Sequence, residues 1–475
     1  MLLRRCLWLL PCWLAVCGTL SSVSADEPKS EEKVSYYRQI RPILVEHCQG
    51  CHQPAKPDGK LIVTDYASLF KKGNSEGHGI VAGDPEESEI FFQISPQGAT
   101  RPLMPKERPP LGEVQVALFK QWILEGAEDD TPPSAGVVVD QDHPPVYSSL
   151  PVVTALAYSP DGSLLAVGGF HEVLLHHADG SGIAARLIGL SERIQSLAFS
   201  PDGKRLAVTG GSPCRFGEVQ IWDVGERKLR LSVSVTYDTV YGASWSADGK
   251  QVAFGCADNT VRAIEADTGK QVLYQGAHSD WVLDTIFSTD ASHLISVSRD
   301  MSMKLTEVAT QRFVDNITSI TPGALKGGLM TVDRHPQKDE LLIGGADGTP
   351  KIYKMYREQD RKIGDDFNLI RKFDALPGRI FSAEFNADGS RFVVGSSSER
   401  TGKVRVYQSA DGKPIAECEG QRGPVYAVAF RRDGREVASS GFDGLIRLND
   451  PETGKLIKEF QAAPLTTEIA AAISN

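Results

Sequence analysis

Residues 197–203 read Leu-Ala-Phe-Ser-Pro-Asp-Gly, and this short stretch decides the fold. An alternating apolar run, typical of a β-strand with one buried face, ends here in a turn that contains Pro, Asp and Gly. The turn aspartates of successive copies lie about 41–49 residues apart. One interval is twice as long, and it contains a copy whose turn sequence is altered. The chain therefore carries seven copies of one unit, and the other six lie at residues 156–162, 243–249, 285–290, 332–339, 383–389 and 428–434.

A repeat of this length predicts the blades of a β-propeller, each built from four strands. After each turn the sequence predicts a second strand, such as residues 205–208, then a Gly-rich turn and a third strand, such as Val219–Asp223. We therefore predict an all-β, seven-bladed propeller over residues 151–460, followed by a C-terminal tail at 461–475. His176 and His177 are predicted to form an ordinary exposed pair on an outer strand or its edge.

The repeats resemble the WD-repeat family. The Trp-Asp pair of that family is kept in the second copy, at Trp222 and Asp223, and is replaced in the others. His278, after Gly-Ala, and Asp300 resemble the His and Asp of the family's hydrogen-bonding tetrad. The fifth copy departs most, because a long insertion at residues 357–366 follows it. The resemblance implies a platform that docks proteins through loops at the rim and mouth of a central channel.

A different motif, Cys48-Gln-Gly-Cys51-His52, lies upstream of the repeats. This spacing is the attachment pattern for a c-type haem. Each thiol adds to one vinyl group of the porphyrin, so one short turn must place both sulfurs along one edge of the ring. The next side chain then faces the iron, which makes His52 the predicted proximal ligand. The other interpretations are a zinc half-site, a redox CxxC or a disulfide; the sequence holds no second CxxC and no HxxxH to complete a zinc knuckle.

Residues 26–130 are predicted to form a small all-α, cytochrome c-like domain around this motif. Helical spacing predicts a first helix over Val34–His47, kinked or restarted at Pro42. Residues 53–83 are rich in Gly, Pro, Asp and Lys and are predicted to be loop. Two further helices are predicted, one from an Asp84 N-cap through Ile94 and one over Glu113–Glu125 that ends at Gly126.

Met104, in Leu103-Met104-Pro105, is the candidate sixth iron ligand. A thioether on a proline-flanked loop supplies a soft, neutral ligand at a fixed position, and it raises the potential. The plain alternative is a methionine that only fills the core. His47 and His78 are the competing sixth ligands: His47 precedes the motif too closely to reach the opposite face, and His78 lies in a Gly-rich loop that could move.

The N-terminal region resembles the planctomycete-type cytochrome c domain over about residues 34–130. The resemblance rests on an ordered series of motifs rather than on CxxCH alone: residues 40–44 (Ile-Arg-Pro-Ile-Leu), 48–52, 83–85 (Gly-Asp-Pro), 103–105 (Leu-Met-Pro) and 121–127 (Gln-Trp-Ile-Leu-Glu-Gly-Ala). It implies one covalently attached haem c, with Cys48 and Cys51 as attachment sites and His52 and Met104 as axial ligands. Lys106 departs from the Met-Pro-Pro often found in the family.

Residues 1–25 are predicted to be a secretory signal. Arg4 and Arg5 form the positive region, an apolar run follows, and Val-Ser-Ala25 fits a cleavage site. A transmembrane anchor is the alternative, but the apolar run is short for the roughly 20 residues that span a bilayer, and Cys17 lies in a poor lipobox. No other stretch is apolar enough to span. A periplasmic or otherwise exported location suits covalent haem attachment, which occurs outside the bacterial inner membrane.

Charge and cysteine content limit the partners. The net charge of −10 falls to −12 without the signal, and no basic patch points to nucleic acid. Cys214, Cys256 and Cys418 are scattered and odd in number, so they are predicted to be buried small residues or one incidental bridge rather than a disulfide framework. The proline-rich linker at 131–150 is expected to act as a semi-rigid spacer that lets the haem domain reorient.

Two main function classes follow from the sequence. In the first, the protein is an exported haem protein for electron transfer, and its propeller docks a protein redox partner. In the second, it is a periplasmic oxidoreductase whose active site in the propeller channel passes electrons to the haem, as in the nitrite reductases that join a cytochrome c domain to a propeller. A scaffold with a purely structural haem is a third reading. We favour the first, because the sequence shows no nucleophile elbow, HExxH motif or phosphate-binding Gly loop.

Overall fold

The computed structural model describes residues 33–54, 56–75, 77–98, 100–106, 108–132, 139–320, 326–362 and 364–466. The predicted signal segment and most of the predicted C-terminal tail lie outside the described residues.

The N-terminal region combines short helices with long irregular stretches. Its α-helices are α1 (Arg41–His47), α2 (Glu89–Ile94) and α3 (Glu113–Leu124). One π-helical turn (Tyr36–Ile40) precedes α1, and two 3-10 turns lie at Asp58–Lys60 and Ala67–Phe70. A small hairpin pairs β1 (His52–Gln53) with β2 (Lys56–Pro57). With so little helix, an all-α domain is not confirmed.

The helices form largely where the sequence predicted them, with one shifted start. Pro42 stands in the first turn of α1, where its missing N–H leaves no helical bond unmade. The second helix begins at Glu89 rather than at Asp84. The Asp84 carboxylate instead accepts the backbone N–H groups of Glu86 and Glu87, at 3.1 and 3.2 Å, and so caps a separate turn.

One apolar core holds this region together. Trp122 and Phe119 of α3 are fully buried, and the Tyr36 ring stacks on Trp122 with ring centres 5.5 Å apart. Ile40 and Leu44 pack into the same core from the segment before the CxxCH motif. Burial of these large side chains, at roughly 1.5–3 kcal/mol each, anchors the CxxCH motif to α3.

Residues 156–461 form seven antiparallel four-stranded sheets, each made of four consecutive strands. This confirms the predicted seven-bladed propeller. The strands of blades 1–3 are β3 (Leu156–Tyr158), β4 (Leu164–Gly168), β5 (Glu172–His177), β6 (Ile183–Ile188); β7 (Arg193–Phe199), β8 (Arg205–Ser212), β9 (Phe216–Asp223), β10 (Lys228–Thr236); β11 (Val240–Trp245), β12 (Gln251–Cys256), β13 (Val261–Glu265) and β14 (Gln271–Gln275).

The remaining blades follow the same order. The strands of blades 4–7 are β15 (Val282–Phe287), β16 (His293–Ser298), β17 (Met303–Glu307), β18 (Arg312–Asn316); β19 (Leu329–Arg334), β20 (Glu340–Gly345), β21 (Lys351–Lys354), β22 (Leu369–Lys372); β23 (Arg379–Phe385), β24 (Arg391–Ser398), β25 (Thr401–Gln408), β26 (Pro414–Glu417); β27 (Val425–Phe430), β28 (Val437–Gly441), β29 (Leu445–Asn449) and β30 (Leu456–Gln461). The insertion at 357–366 lies between β21 and β22.

The repeated Ser-Pro-Asp-Gly turn joins the first and second strands of a blade. In blade 2 the Ser200 hydroxyl donates to Asp202, at 2.6 Å, and accepts the backbone N–H of Arg205, at 2.9 Å. Gly203 adopts φ +72°, a left-handed conformation that favours glycine. The motif recurs because Ser, Asp and Gly each satisfy a separate requirement of the turn.

Tyr147, in the predicted linker, closes the propeller between blades 7 and 1. It is buried and forms a parallel bridge with Leu465. Its hydroxyl donates to Glu172 of β5, at 2.7 Å, and accepts the backbone N–H of Phe170, at 3.1 Å. Arg186 completes the network through two bonds to the Glu172 carboxylate.

The prediction that His176 and His177 form an exposed pair is wrong for His176. His176 is buried, and its Nε2 lies 2.9 Å from the carbonyl oxygen of Ala462. The third strand of blade 1 turns this side chain toward the seam with blade 7, whereas His177 is exposed. His176 therefore takes part in ring closure.

Carboxylates tie the inner strands of blades 4–7 together. Asp284 of β15 accepts the backbone N–H of Val332 of β19, at 2.9 Å. Asp333 of β19 accepts from Phe385 of β23, at 2.8 Å, and Glu384 of β23 accepts from Phe430 of β27, at 3.2 Å. Burial raises the pKa of Asp284 to about 7 and that of Asp333 to about 6, and it raises the pKa of Glu384 well above its usual range.

Candidate functional site

The CxxCH motif forms a tight turn at the end of α1. The backbone N–H groups of Cys51 and His52 both donate to the carbonyl oxygen of Cys48, each at 3.1 Å. Cys48 is half-buried against the domain core, and Cys51 is exposed. Burial raises the pKa of the Cys48 thiol to about 12. The turn thus brings the two cysteines within one turn of backbone, as attachment to one porphyrin edge requires.

His52 is held in the orientation of a metal ligand. Its Nδ1 lies 2.8 Å from the carbonyl oxygen of Asp58, so Nδ1–H donates and Nε2 keeps its lone pair. Burial is the main cause that lowers the pKa of His52, which favours the neutral ring that a metal binds. The carbonyl of His52 accepts the N–H of Val63, at 2.9 Å, and fixes the backbone below the ring.

Met104 lies in the loop between α2 and α3 and packs against the same apolar core as Cys48. Its backbone N–H donates to the carbonyl oxygen of Gln93, at 3.0 Å, which ties the loop to α2. Two thiols in one turn, an imidazole whose Nδ1 is bonded to a backbone carbonyl, and a thioether on a loop tied to α2 are the donor set of a c-type haem, so the residues present fit that group.

The competing sixth ligands are bonded in different ways. His47 faces α3, where its Nε2 lies 3.2 Å from the Gln115 amide nitrogen, and it is near Glu46 at 3.5 Å. Burial lowers the pKa of His47. His78 is exposed, and its Nδ1 lies 2.9 Å from the carbonyl oxygen of Phe70, which leaves its Nε2 available. The Nε2 atom of His47 is therefore in contact with Gln115, whereas the hydrogen bond of His78 uses Nδ1 and not Nε2.

Within the described parts of the chain, no three His, Cys, Asp or Glu side chains are grouped closely enough to hold a metal ion. Cys48, Cys51 and His52 are thus not arranged as a ready zinc site. Cys214 is exposed, while Cys256 and Cys418 are buried, and all five described cysteines are free.

The CxxCH turn, for which haem attachment is predicted, lies against the outer strand of blade 2. A Cβ placed on Gly50 would come closer than 3.0 Å to the carbonyl oxygen of Ser232 of β10. The Ser234 hydroxyl donates to the carbonyl oxygen of Val45, at 3.1 Å, and the Tyr237 hydroxyl donates to Glu46, at 2.8 Å. These contacts hold α1 against the propeller, which differs from the free reorientation that the linker composition suggested.

The mouth of the propeller channel is a cavity of 790 Å³. Seven half-buried side chains, one at each blade, line this cavity; six of them follow the first buried residue of an inner strand, and Thr154 lies just before β3. We call them the channel ring: Thr154, Gln195, Tyr241, Leu283, Met330, Phe381 and Tyr426. Five of the seven are large and apolar or aromatic. In blades 2 and 4–7 the inner strand has an irregular register at this residue, which releases the side chain into the channel.

Aromatic and charged side chains border the ring. Tyr241 stacks on Trp281 with ring centres 5.9 Å apart, and the Arg299 guanidinium lies over the Trp281 ring at 4.7 Å. Phe381 and Tyr426 pack edge to face at 5.1 Å. This surface offers rigid aromatic contacts of the kind enriched at protein interfaces.

The sequence identified the turn of two cysteines and a histidine but missed several residues that position it. The Asp58 carbonyl and Gly50 carry no sequence signal for their roles. The channel ring does carry one, since six of its seven members follow the first apolar residue of a strand that precedes a repeat turn. The predicted tetrad members do meet: His278 Nδ1 lies 2.9 Å from Asp300, and Nε2 lies 2.8 Å from the Ser296 hydroxyl.

Family models match both parts of the chain. Residues 48–108 match the model described as Planctomycete cytochrome C, and residues 229–264 and 412–450 match the WD domain, G-beta repeat. Together with the seven blades, these matches define a fusion of a cytochrome c-like segment with a repeat propeller. The chain therefore combines a segment that matches the Planctomycete cytochrome C model with a seven-bladed β-propeller that carries matches to the WD repeat.

Curated relatives share the repeats at low identity. The chain is 24% identical over 213 residues to Eukaryotic translation initiation factor 3 subunit I of Candida glabrata, which covers 45% of this chain and 48% of that protein. It is 25% identical over 244 residues to Periodic tryptophan protein 2 of Arabidopsis thaliana (51% and 25%). It is 27% identical over 217 residues to the human Angio-associated migratory cell protein (45% of each). The chain thus spans about half or less of these relatives.

Propellers of the WD type generally mediate protein interactions. None of the helices in the described ranges is long and apolar enough to cross a membrane.

Proposed function

We propose that this chain is an exported c-type haem protein that transfers electrons, with the propeller as the docking platform for a protein redox partner. Cys48 and Cys51 attach one haem c covalently, and His52 and Met104 are its axial ligands. The observation that carries the proposal is the His52 ring, whose Nδ1–H is bonded to the Asp58 carbonyl 2.8 Å away and whose Nε2 is left for iron. When bound, the haem supplies the one-electron chemistry.

The protein's own contribution is to orient the ligands and limit access to the site. The Met104 loop is tied to α2 through Gln93, and the thioether is a soft, neutral donor that favours the reduced iron. The predicted signal segment supports the proposal, because it would deliver the chain to the compartment where haem is attached.

Attachment is tested by expressing the full chain with a cytochrome c maturation system and measuring haem that remains after denaturation and acid-acetone extraction. Cys51→Ala should lose most of the retained haem. Cys214→Ala is the matched control, since Cys214 is an exposed cysteine outside the motif, and it should retain the wild-type amount. Haem that extracts freely from the wild-type chain would refute the proposal.

The channel ring supports the docking role of the propeller. It presents Tyr241, Phe381 and Tyr426 on rigid inner strands, and such aromatic anchors dominate many protein interfaces. The net charge of −10 favours a partner with a basic face, whose association rate falls as salt is added.

The docking role is tested by stopped-flow electron transfer between the haem-loaded chain and small basic redox proteins, over a series of salt concentrations. Tyr426→Ala should lower the second-order rate, whereas reduction by a small inorganic reductant should be unchanged. Tyr274→Ala, an exposed tyrosine on an outermost strand, is the control. Equal rates for Tyr426→Ala and wild type with every protein donor would remove the ring from the docking surface.

A second candidate is an oxidoreductase with its active site in the channel. The volume of 790 Å³ favours it, because small-molecule sites usually measure about 300–1,000 Å³. Among the described residues that line this cavity there is no histidine, the ligand that a second haem in the channel would need. Turnover of a small molecule that is lost in Trp281→Ala, with haem reduction intact, would favour this candidate over the docking role.

A further inference from the structure

The surface on which the haem-attachment turn rests is connected to a buried carboxyl group. Ser232 of β10 has its carbonyl oxygen against Gly50 of the turn. The hydroxyl of the same Ser232 donates to Glu218 of β9, at 2.6 Å. One residue therefore separates the haem-attachment turn from an acidic side chain in the core of blade 2.

Glu218 is completely buried, and its carboxyl is surrounded by hydrogen-bond donors. Ser191 and Gln220 donate to Oε1, each at 2.7 Å, and Ser232 donates to Oε2. Gln220 is itself oriented by Trp222, whose indole N–H donates to its oxygen at 2.8 Å. In the blade that keeps the Trp-Asp pair, the buried polar network is thus centred on a titratable acid. Burial raises the pKa of Glu218 above its usual value despite these bonds.

Most of the charged and titratable groups on the elements around Glu218 are bonded to other partners, and Arg193 of β7 is the remaining charged side chain on the strands of blade 2. The partners are Asp267 for Arg205 of β8, Asp223 and Glu226 for Arg230 of β10, Glu226 for Lys228 of β10, Arg215 for Glu192, Thr239 for Asp238, Tyr237 for Glu46, Gln115 for His47, and Asp58 for Lys56. A change of charge at the haem site, on the other side of Ser232, would therefore be felt by Glu218, because these ion pairs are fixed and compensate little. Salt also screens a buried group poorly.

We propose that Glu218 is a redox-linked protonation site. This inference rests on the proposed haem function. With haem bound, reduction of the iron by one electron from the donor protein would remove one positive charge from the site, and the Glu218 carboxylate would take up a fraction of a proton from water. Oxidation would return the electron to an acceptor protein and that fraction of a proton to water. The hydroxyl groups of Ser191 and Ser232 both donate and accept, so they are able to pass the proton to and from the carboxyl.

The expected effect is a midpoint potential that falls as pH rises. Reduction is favoured where the proton is available, and full coupling of one proton to one electron would change the equilibrium tenfold per pH unit, which corresponds to 59 mV. Glu218 is linked to the haem through the contact between Ser232 and Gly50 and is not itself an iron ligand. The potential should therefore change by less than this value per pH unit. Glu218→Gln keeps the size and the acceptor oxygen of the side chain but does not titrate, so its slope should be flatter across the same pH range.

The experiment measures midpoint potential against pH by spectroelectrochemistry on the full-length, haem-loaded chain. Asp284→Asn is the matched control, because it neutralises another carboxyl with a raised pKa, in blade 4, away from the cytochrome contact. It should keep the wild-type slope. Gly50→Ala should flatten the slope with Glu218 still present, because the added methyl group forces the turn away from Ser232.

Three results would overturn the inference: a wild-type slope in Glu218→Gln, an equal flattening in Asp284→Asn, or a wild-type slope in Gly50→Ala. Circular dichroism and the thermal midpoint of each variant show whether the propeller is intact. Failure of the proposed function is seen separately, because a chain without covalent haem gives no haem spectrum to titrate.

Discussion

Tyr147 offers the sharpest test of how the propeller ring is held closed. Tyr147→Phe removes the bond to Glu172 and the acceptor for the Phe170 N–H, at 2.7 and 3.1 Å, and keeps the aromatic ring. Glu172 remains bonded to Arg186, so no isolated charge is left behind. With about 0.5–1.5 kcal/mol for each bond, the expected loss of unfolding free energy is about 1–3 kcal/mol. Tyr147→Ala also removes a buried ring, and losses of about 3–5 kcal/mol are usual for such a change.

The assay is equilibrium unfolding in urea of the full chain, followed by far-UV circular dichroism. Tyr237→Phe is the control, since Tyr237 is 66% exposed and loses one surface bond; its midpoint should change little. Limited proteolysis should cut the Tyr147→Ala chain first near the meeting point of blades 1 and 7. Equal midpoints for Tyr147→Ala and Tyr237→Phe would refute the view that residues upstream of the repeats close the ring.

Two further predictions follow from the carboxylates and the thioether. Burial gives Asp284 a folded-state pKa of about 7 against an ordinary 3.8. The folded state therefore binds the proton more tightly, and the free energy of unfolding should fall as pH rises from about 4 to about 7. Asp284→Asn should lessen this loss in thermal melts across that range, and a pH profile equal to that of the wild type would contradict the raised pKa. Met104→Ala should abolish the weak sulfur-to-iron charge-transfer band of the ferric haem, open the iron to carbon monoxide and lower the potential. Met330→Ala, in the channel ring, should have none of these three effects. A bis-histidine spectrum in the wild type would instead favour His78 as the sixth ligand.

The parts of the fold that depend on local chemistry could be predicted from the sequence. The Ser-Pro-Asp-Gly turns fixed the number of blades, since each turn satisfies its own hydrogen bonds within seven residues. The third helix was predicted nearly to its ends, because its apolar spacing and Gly126 are local signals. The start of the second helix was predicted too early, since Asp84-Pro85 is equally suited to cap an isolated turn.

The parts that depend on distant contacts could not be predicted. Tyr147 lies in a proline-rich stretch that suggests a spacer, yet its partners are Glu172 and Leu465. His176 was expected to be exposed because the pair was predicted to lie on an outer strand or its edge, but the seam with blade 7 buries it. Gly50 is an ordinary residue within the CxxCH spacing, and its close approach to Ser232 depends on residues about 180 positions away. In each case the decisive neighbour is far along the chain.

The closure at Tyr147 and Leu465 has a topological consequence. Because the chain enters and leaves the propeller at adjacent points, the seam between blades 7 and 1 is one inter-blade junction among seven. A circularly permuted propeller without the cytochrome segment, with residues 147 and 465 covalently linked and new ends opened between two other blades, would retain the same seven sheets. The cytochrome segment is then an attachment at one junction of a closed ring, and the ring itself has no structural first blade.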